Sequence, residues 1–135
     1  MKAVAVSLVA AAFLAAPAAG GTTSLSFAFG RLGGNIKPLD VRIGAAGRVM
    51  VDGEPRPPAL SHAKLQTLLR VALAQRFFAL PQKIVCPGQL PDFATLYVTV
   101  RNGSRAARTV TQRGNCNKRF IRVYAALQSA VGSTP

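Results

Sequence analysis

Residues 61–81 read SHAKLQTLLRVALAQRFFALP, and within them Leu65, Leu68, Leu69, Ala72 and Leu73 recur at the spacing that lines one face of an α-helix. An apolar helical face has to be buried against something. Strand-like alternation flanks the stretch on both sides, so the expected partner is a sheet. Ser61 is placed to cap the helix, its hydroxyl accepting from an amide of the first turn, and His62 falls in that turn in a capping or solvent position. Lys64, Thr67, Arg70 and Ala74 fall on the opposite side. Arg76 would rotate back onto the apolar face of a regular helix, so the helix is expected to end or tighten there, with Arg76 at its negative end. Phe77, Phe78 and Leu80 then pack as the chain turns at Pro81.

Upstream, Leu25, Phe27 and Phe29 alternate with Ser24, Ser26 and Ala28, which predicts a half-buried strand over 24–29. The following GRLGGN has the look of a phosphate-binding turn, but a nucleotide loop opens a helix, whereas Pro38 and another strand follow here. A flexible connection is expected instead. Residues 39–43 and 48–51 form a β-hairpin around the turn at 44–47. Asp52-Gly53 ends its second arm, and Pro55, Pro57 and Pro58, which lack an amide donor, take the chain out of the sheet. Residues 82–92 read as a loop, and 93–100 as the clearest strand in the chain. Asn102-Gly103 marks a tight hairpin from which 105–112 returns, and this turn also explains the sequon Asn102-Gly103-Ser104 without a sugar. A second amphipathic helix over 118–131 carries Phe120, Val123, Tyr124, Leu127 and Val131 on one face and stops at Gly132. The order is β-β-β-α-β-β-α: an α+β fold with a mainly antiparallel sheet of about five strands and two helices.

The first residues read as a targeting segment. Lys2 precedes an apolar run over 3–16 broken only by Ser7, and Ala16-Pro17-Ala18 supplies small residues for cleavage after Ala18 or Ala19. At about 1.5 Å per residue the run spans roughly 21 Å, short of a hydrocarbon core of about 30 Å. A secretory signal peptide over 1–19 is therefore expected, followed by a single domain over 20–135 and a secreted or periplasmic protein. In that setting the even pair Cys86 and Cys116 reads as a disulfide. Closing a loop of about thirty residues stabilises a fold by roughly 3 to 4 kcal/mol. A zinc site needs about four ligands and only His62 could join the cysteines, so neither metal nor cofactor is expected.

The chain carries 17 Lys and Arg against Asp40, Asp52, Glu54 and Asp92, a net charge of +13. That charge favours anionic partners, although the plainer reading is base composition and solubility. Arg101, Arg105, Arg108, Arg113, Lys118, Arg119 and Arg122 follow one another with no acid among or after them, which marks a candidate basic face for anionic polymers or membrane headgroups. Nucleic acid fits poorly, because no aromatic stacking array interleaves with these charges. One His and four scattered carboxylates supply neither a paired acid and base nor an oriented nucleophile. A binding or structural module, not an enzyme, is expected.

The succession GRLGG, GRVMVDG, RFFALP, PDFATLYVTVRNG and a closing helix resembles small bacterial emfourin-type proteins, the protealysin-inhibitor family, and a related uncharacterised bacterial domain family. Gly33, Gly34, Phe77, Phe78, Leu80, Pro81, Pro91, Asp92 and Tyr97 carry the resemblance, which covers nearly the whole chain after the leader. The leader and the cysteine pair depart from the inhibitor branch. The resemblance implies a compact α+β fold and, for the characterised branch, inhibition of thermolysin-like metalloproteases. The expected function is an exported protein-binding module with two exposed loops. One holds Arg31, Leu32, Gly33, Gly34 and Asn35, the other Gly53, Glu54, Pro55 and Arg56. The alternatives are the anionic-polymer binder and a structural exported domain.

Overall fold

A computed structural model describes residues 24–88, 90 and 92–132; the leader over 1–19, its cleavage positions and Pro91 lie outside the described residues. The elements in chain order are β1 (Ser26–Leu32), β2 (Leu39–Ile43), β3 (Val49–Val51), β4 (Glu54–Pro55), α1 (His62–Ala74), a 3₁₀ turn (Phe77–Ala79), β5 (Lys83–Val85), β6 (Thr95–Arg101), β7 (Arg108–Arg113) and α2 (Lys118–Val131). One sheet runs in the order β4-β3-β2-β1-β6-β7-β5. Among the described residues only β5 and β7 pair in parallel; every other pair there is antiparallel. The α+β class, the mainly antiparallel sheet and the two helices match the expectation, with two short edge strands added to the five.

Directly opposed residues share a face, so the register fixes what the helices cover. Val41, Phe29, Val98 and Val110 form one row across four strands, and all four are fully buried. Ile43, Phe27 and Val100 form the next. Against these rows α1 seats Leu65, Leu68 and Ala72, while α2 seats Phe120, Val123, Tyr124 and Leu127. Tyr124 meets Phe29 edge-on at 5.6 Å between ring centroids. Each large apolar side chain removed from water contributes roughly 1.5–3 kcal/mol. Leu73, expected on this face, is half-exposed: one residue beyond Ala72 turns the side chain by about 100° and out of the contact.

The helix ends follow local chemistry. Ser61 Oγ accepts from the Lys64 amide at 3.1 Å, and Asn117 Oδ1 accepts from the Phe120 amide at 3.1 Å. Gly132 closes α2 in the left-handed conformation. α1 ends at Gln75, and Arg76 lies beyond it with φ of 50°, outside the last turn. The cation that serves this terminus comes from the other helix. Arg119 donates through Nε to the Gln75 carbonyl at 2.7 Å and through Nη2 to the Arg76 carbonyl at 2.9 Å.

Four expectations need correcting. The first strand continues through Gly30, Arg31 and Leu32, which pair with β2 or β6 and so belong to the sheet, not to a loop. Pro55 stays in the sheet as part of β4, an outer strand on which a missing amide donor costs no ladder bond. Asp52-Gly53, with φ of 50° and 83°, is the two-residue turn of that extra hairpin. The stretch over 82–92 contains β5, whose parallel pairing with β7 no local turn signal announces. Finally, β6 and β7 close at Val100 opposite Arg108, so residues 102–107 make a wider loop than a tight Asn102-Gly103 turn. A tight turn there would pair Val98 with Ala107 and rotate Val110 out of the core.

Candidate functional site

The helices cover one face of the sheet, and the described residues leave the other open. On that open face β1 presents Ser26, Ala28 and Gly30, the small partners of its buried phenylalanines. The central strand therefore forms the floor of a trough, and its walls come from β2 on one side and β6 on the other. Gly30 pairs with Asp40 and with Tyr97. A Cβ on Gly30 would stand 1.9 Å from the Leu39 carbonyl oxygen and 2.9 Å from the Tyr97 hydroxyl. Because it is absent, Tyr97 crosses β1 and donates its hydroxyl hydrogen to Asp40 Oδ1. The second oxygen of Asp40 accepts from Arg42 Nε at 3.0 Å, and the Asp40 amide donates to Asp52 Oδ1 at 2.9 Å.

Electrostatics follow from this chain of contacts. Burial alone would raise the Asp40 pKa, but hydrogen bonds from Tyr97 and Arg42, with the Arg42 charge, hold it below the ordinary carboxylate value. The Tyr97 phenol is pushed well above its ordinary value, first by burial and then by its bond to the Asp40 carboxylate. Beyond the Tyr97–Asp40 bridge the trough opens into a hollow of 250 Å³ lined by Ser26, Ala28, Arg42, Thr99, Arg101 and Ala107, among others. Thr99 and Thr109 share a hydroxyl hydrogen bond of 2.8 Å beside it.

The two loops singled out from sequence leave the sheet at one end. Arg31 Nε donates to the Lys37 carbonyl at 2.9 Å and closes the base of the first. The Asn35 amide donates to the Asp92 carbonyl at 3.3 Å, tying that loop to the segment before β6. Gly34 fits there only without a side chain, since a Cβ would stand 2.5 Å from the Asp92 carbonyl oxygen. Leu32, Ile36 and Phe93 are 53%, 52% and 52% exposed at this rim, and Ile36 and Phe93 border a groove of 380 Å³ that reaches Leu96 and Gly114. The second loop is reduced to Asp52-Gly53, anchored to β2 by the Asp52 amide donating to the Asp40 carbonyl at 2.8 Å. Glu54 and Pro55 lie in β4, and the Arg56 amide donates back to Val49.

Cys86 and Cys116 form the expected disulfide, bridging the end of β5 to the start of α2. The seven basic residues are dispersed. Arg101 and Arg113 lie on the open sheet face at opposite ends of β6, pairing with Ser26 and Thr95. Arg108, opposite Val100, faces the helices and donates to the Leu80 carbonyl. Arg119 caps α1, Arg105 sits in the 102–107 loop, and Lys118 and Arg122 are exposed on α2. Sequence reading missed Asp40, Arg42 and Tyr97 as one cluster; the alternation of Ser26, Ala28 and Gly30 was the available sign, but only the register names their neighbours.

Among the described residues no cluster of three His, Cys, Asp or Glu side chains could hold a metal ion, and no helix is long and apolar enough to cross a membrane. No known family profile matches the chain, and no curated protein or solved structure is significantly similar to it.

Proposed function

We propose that the chain is an exported protein-binding module that acts through the rim formed by residues 31–37, the Asp52-Gly53 turn and residues 92–94, with a thermolysin-like metalloprotease as its partner. The observation that carries this reading is the half-exposure of Ile36 and Phe93, which border one groove on loops tied to one another, with Leu32 equally exposed at the end of β1 where the first of those loops begins. Apolar side chains held on a braced loop lose little conformational freedom on binding, which favours affinity. The Cys86–Cys116 bridge at the same end of the sheet stiffens the base from which the rim projects. The choice of partner rests on the emfourin resemblance of the glycine pair, the RFFALP helix end and the PDFATLYV strand. The apolar run behind Lys2 supports export.

The test is a titration of the oxidised protein against a thermolysin-type metalloprotease at physiological salt, following peptidase activity. Stoichiometric inhibition that persists at high salt and is lost in Phe93→Ser or Leu32→Ser supports the reading, since an apolar contact is not screened. Full peptidase activity at large molar excess overturns it for this protease class.

A further inference from the structure

We infer that the hollow on the open sheet face between Arg42 and Arg101 is a binding site for the carboxylate or sulfate-ester groups of an acidic polysaccharide. Its floor is Ser26 and Ala28 of β1, too small to fill the space between the flanking strands. Arg42 lies opposite Ala28 and Arg101 opposite Ser26, so the two cations stand on either side of that floor, one residue pair out of step. Neighbouring strands are about 4.8 Å apart and successive same-face residues about 6.8 Å, so two arginine side chains placed this way reach a common anion above β1.

The donors are uncommitted in the required sense. Asp40 takes only Nε of Arg42, leaving both terminal amino groups for a ligand in the forked geometry that suits an oxyanion. The main chain of Arg101 pairs with Ser26, but its side chain makes no hydrogen bond to the described residues, and Ser26 contributes a hydroxyl from the floor. The Tyr97–Asp40 bridge lies over Gly30, the next residue of β1 on the same face after Ala28, and fixes the carboxylate that orients Arg42. Two arginines less one carboxylate leave a single net positive charge facing the ligand. That balance matches a monoanionic group and falls short of what a polyphosphate or a membrane surface recruits.

The neighbouring surface decides the occupant. Thr99, Thr109 and Thr111 continue the face as hydroxyls, with Lys83 paired to Thr111 beyond them. The backbone on a sheet face is already spent in the ladder, so an acidic peptide finds no main-chain partners there. A hydroxylated, sparsely charged chain lying across the strands meets side chains of its own chemistry.

The experiment is calorimetric titration of the oxidised protein with a uronate oligosaccharide and a sulfated oligosaccharide. A neutral oligosaccharide, oligoglutamate and phosphatidylglycerol vesicles serve as competing probes. The expected result is binding of the acidic oligosaccharides, with Arg42→Gln and Arg101→Gln each weakening it about tenfold, the loss of one charge-assisted contact. Ala28→Leu fills the hollow without changing charge and should abolish binding. Arg70→Gln and Arg122→Gln remove the same charge from the helices and should leave affinity unchanged. Amide shifts in the unaltered protein should centre on Ser26, Ala28 and Thr99, which keeps the test decisive if a variant fails to fold. Equal losses in Arg70→Gln or Arg122→Gln, or normal binding by Ala28→Leu, overturn the site in favour of diffuse charge. Tighter binding of oligoglutamate or vesicles overturns the polysaccharide assignment. Rim variants at Leu32 and Phe93 leave this binding intact, so it stands or falls separately from protease inhibition.

Discussion

Tyr97 and Asp40, separated by 57 positions in the chain, meet above Gly30, the one residue of β1 whose missing side chain lets a phenol on β6 reach a carboxylate on β2. The contact spans three strands and joins the two halves of the sheet on its uncovered side. It also places Arg42, because the same carboxylate holds Nε of that side chain.

Gly30→Ala should therefore destabilise the protein by about 3 kcal/mol, at the upper end of overpacking effects, because the new Cβ meets a backbone oxygen that has no room to yield. Urea unfolding should show a lower midpoint with an unchanged slope. A midpoint equal to that of the unaltered protein would show that β1 and β2 separate at little expense.

The Tyr97–Asp40 pair should leave a mark at both ends of the pH scale. Asp40 has a lowered folded pKa, so its contribution is complete above the unfolded value of about 3.9 and is lost as pH falls through the folded value. Tyr97 has a raised folded pKa, so its contribution is complete below about 10 and is lost as pH climbs beyond that. Tyr97→Phe should reduce the alkaline loss to the part left by the Tyr124 phenol, which burial also raises, and soften the acid one. Unfolding midpoints of the two proteins across pH check this, and parallel profiles would contradict it.

Replacing both cysteines, as Cys86→Ala with Cys116→Ala, should cost about 2–4 kcal/mol through the freed loop of the unfolded chain. The same shift should follow from adding reductant to the unaltered protein and should be absent from the double variant.

Arg119→Met keeps the aliphatic packing and removes the two bonds to the end of α1, which should cost about 1.5–3 kcal/mol for a charged donor. Arg122→Met, on the exposed side of the same helix, should lie within about 0.5 kcal/mol of the unaltered protein. Equal effects would mean that Arg119 acts only through overall charge.

The helices and the inner rows were legible because their signals are local. Leu65, Leu68 and Ala72 repeat at helical spacing, Phe27 and Phe29 at strand spacing, and Ser61 and Gly132 mark ends that the backbone respects. The disulfide was legible because only two cysteines exist to pair. What stayed hidden depends on register and on neighbours distant in sequence. β5 is three residues long and owes its place to β7, while Asp52-Gly53 looks like an exit in the sequence because the prolines behind it outweigh the turn it makes. Arg108 and Arg119 look like surface charge in a run of cations; only pairing with Val100 and contact with Gln75 reveal their bonds to main-chain carbonyls. The open-face cluster draws Asp40, Arg42 and Tyr97 from opposite flanks of β1, so no window of sequence contains it.

The bridge between Cys86 and Cys116 also makes a covalent ring of everything between them, and that ring encloses β6 and β7 together with the exposed 102–107 loop. A protease that cuts after Arg105 opens the ring without freeing a fragment. The nicked chain keeps its mass by electrophoresis until a thiol is added, and only then separates into two pieces. A cut in this loop is thus converted from loss of the domain into a silent scar.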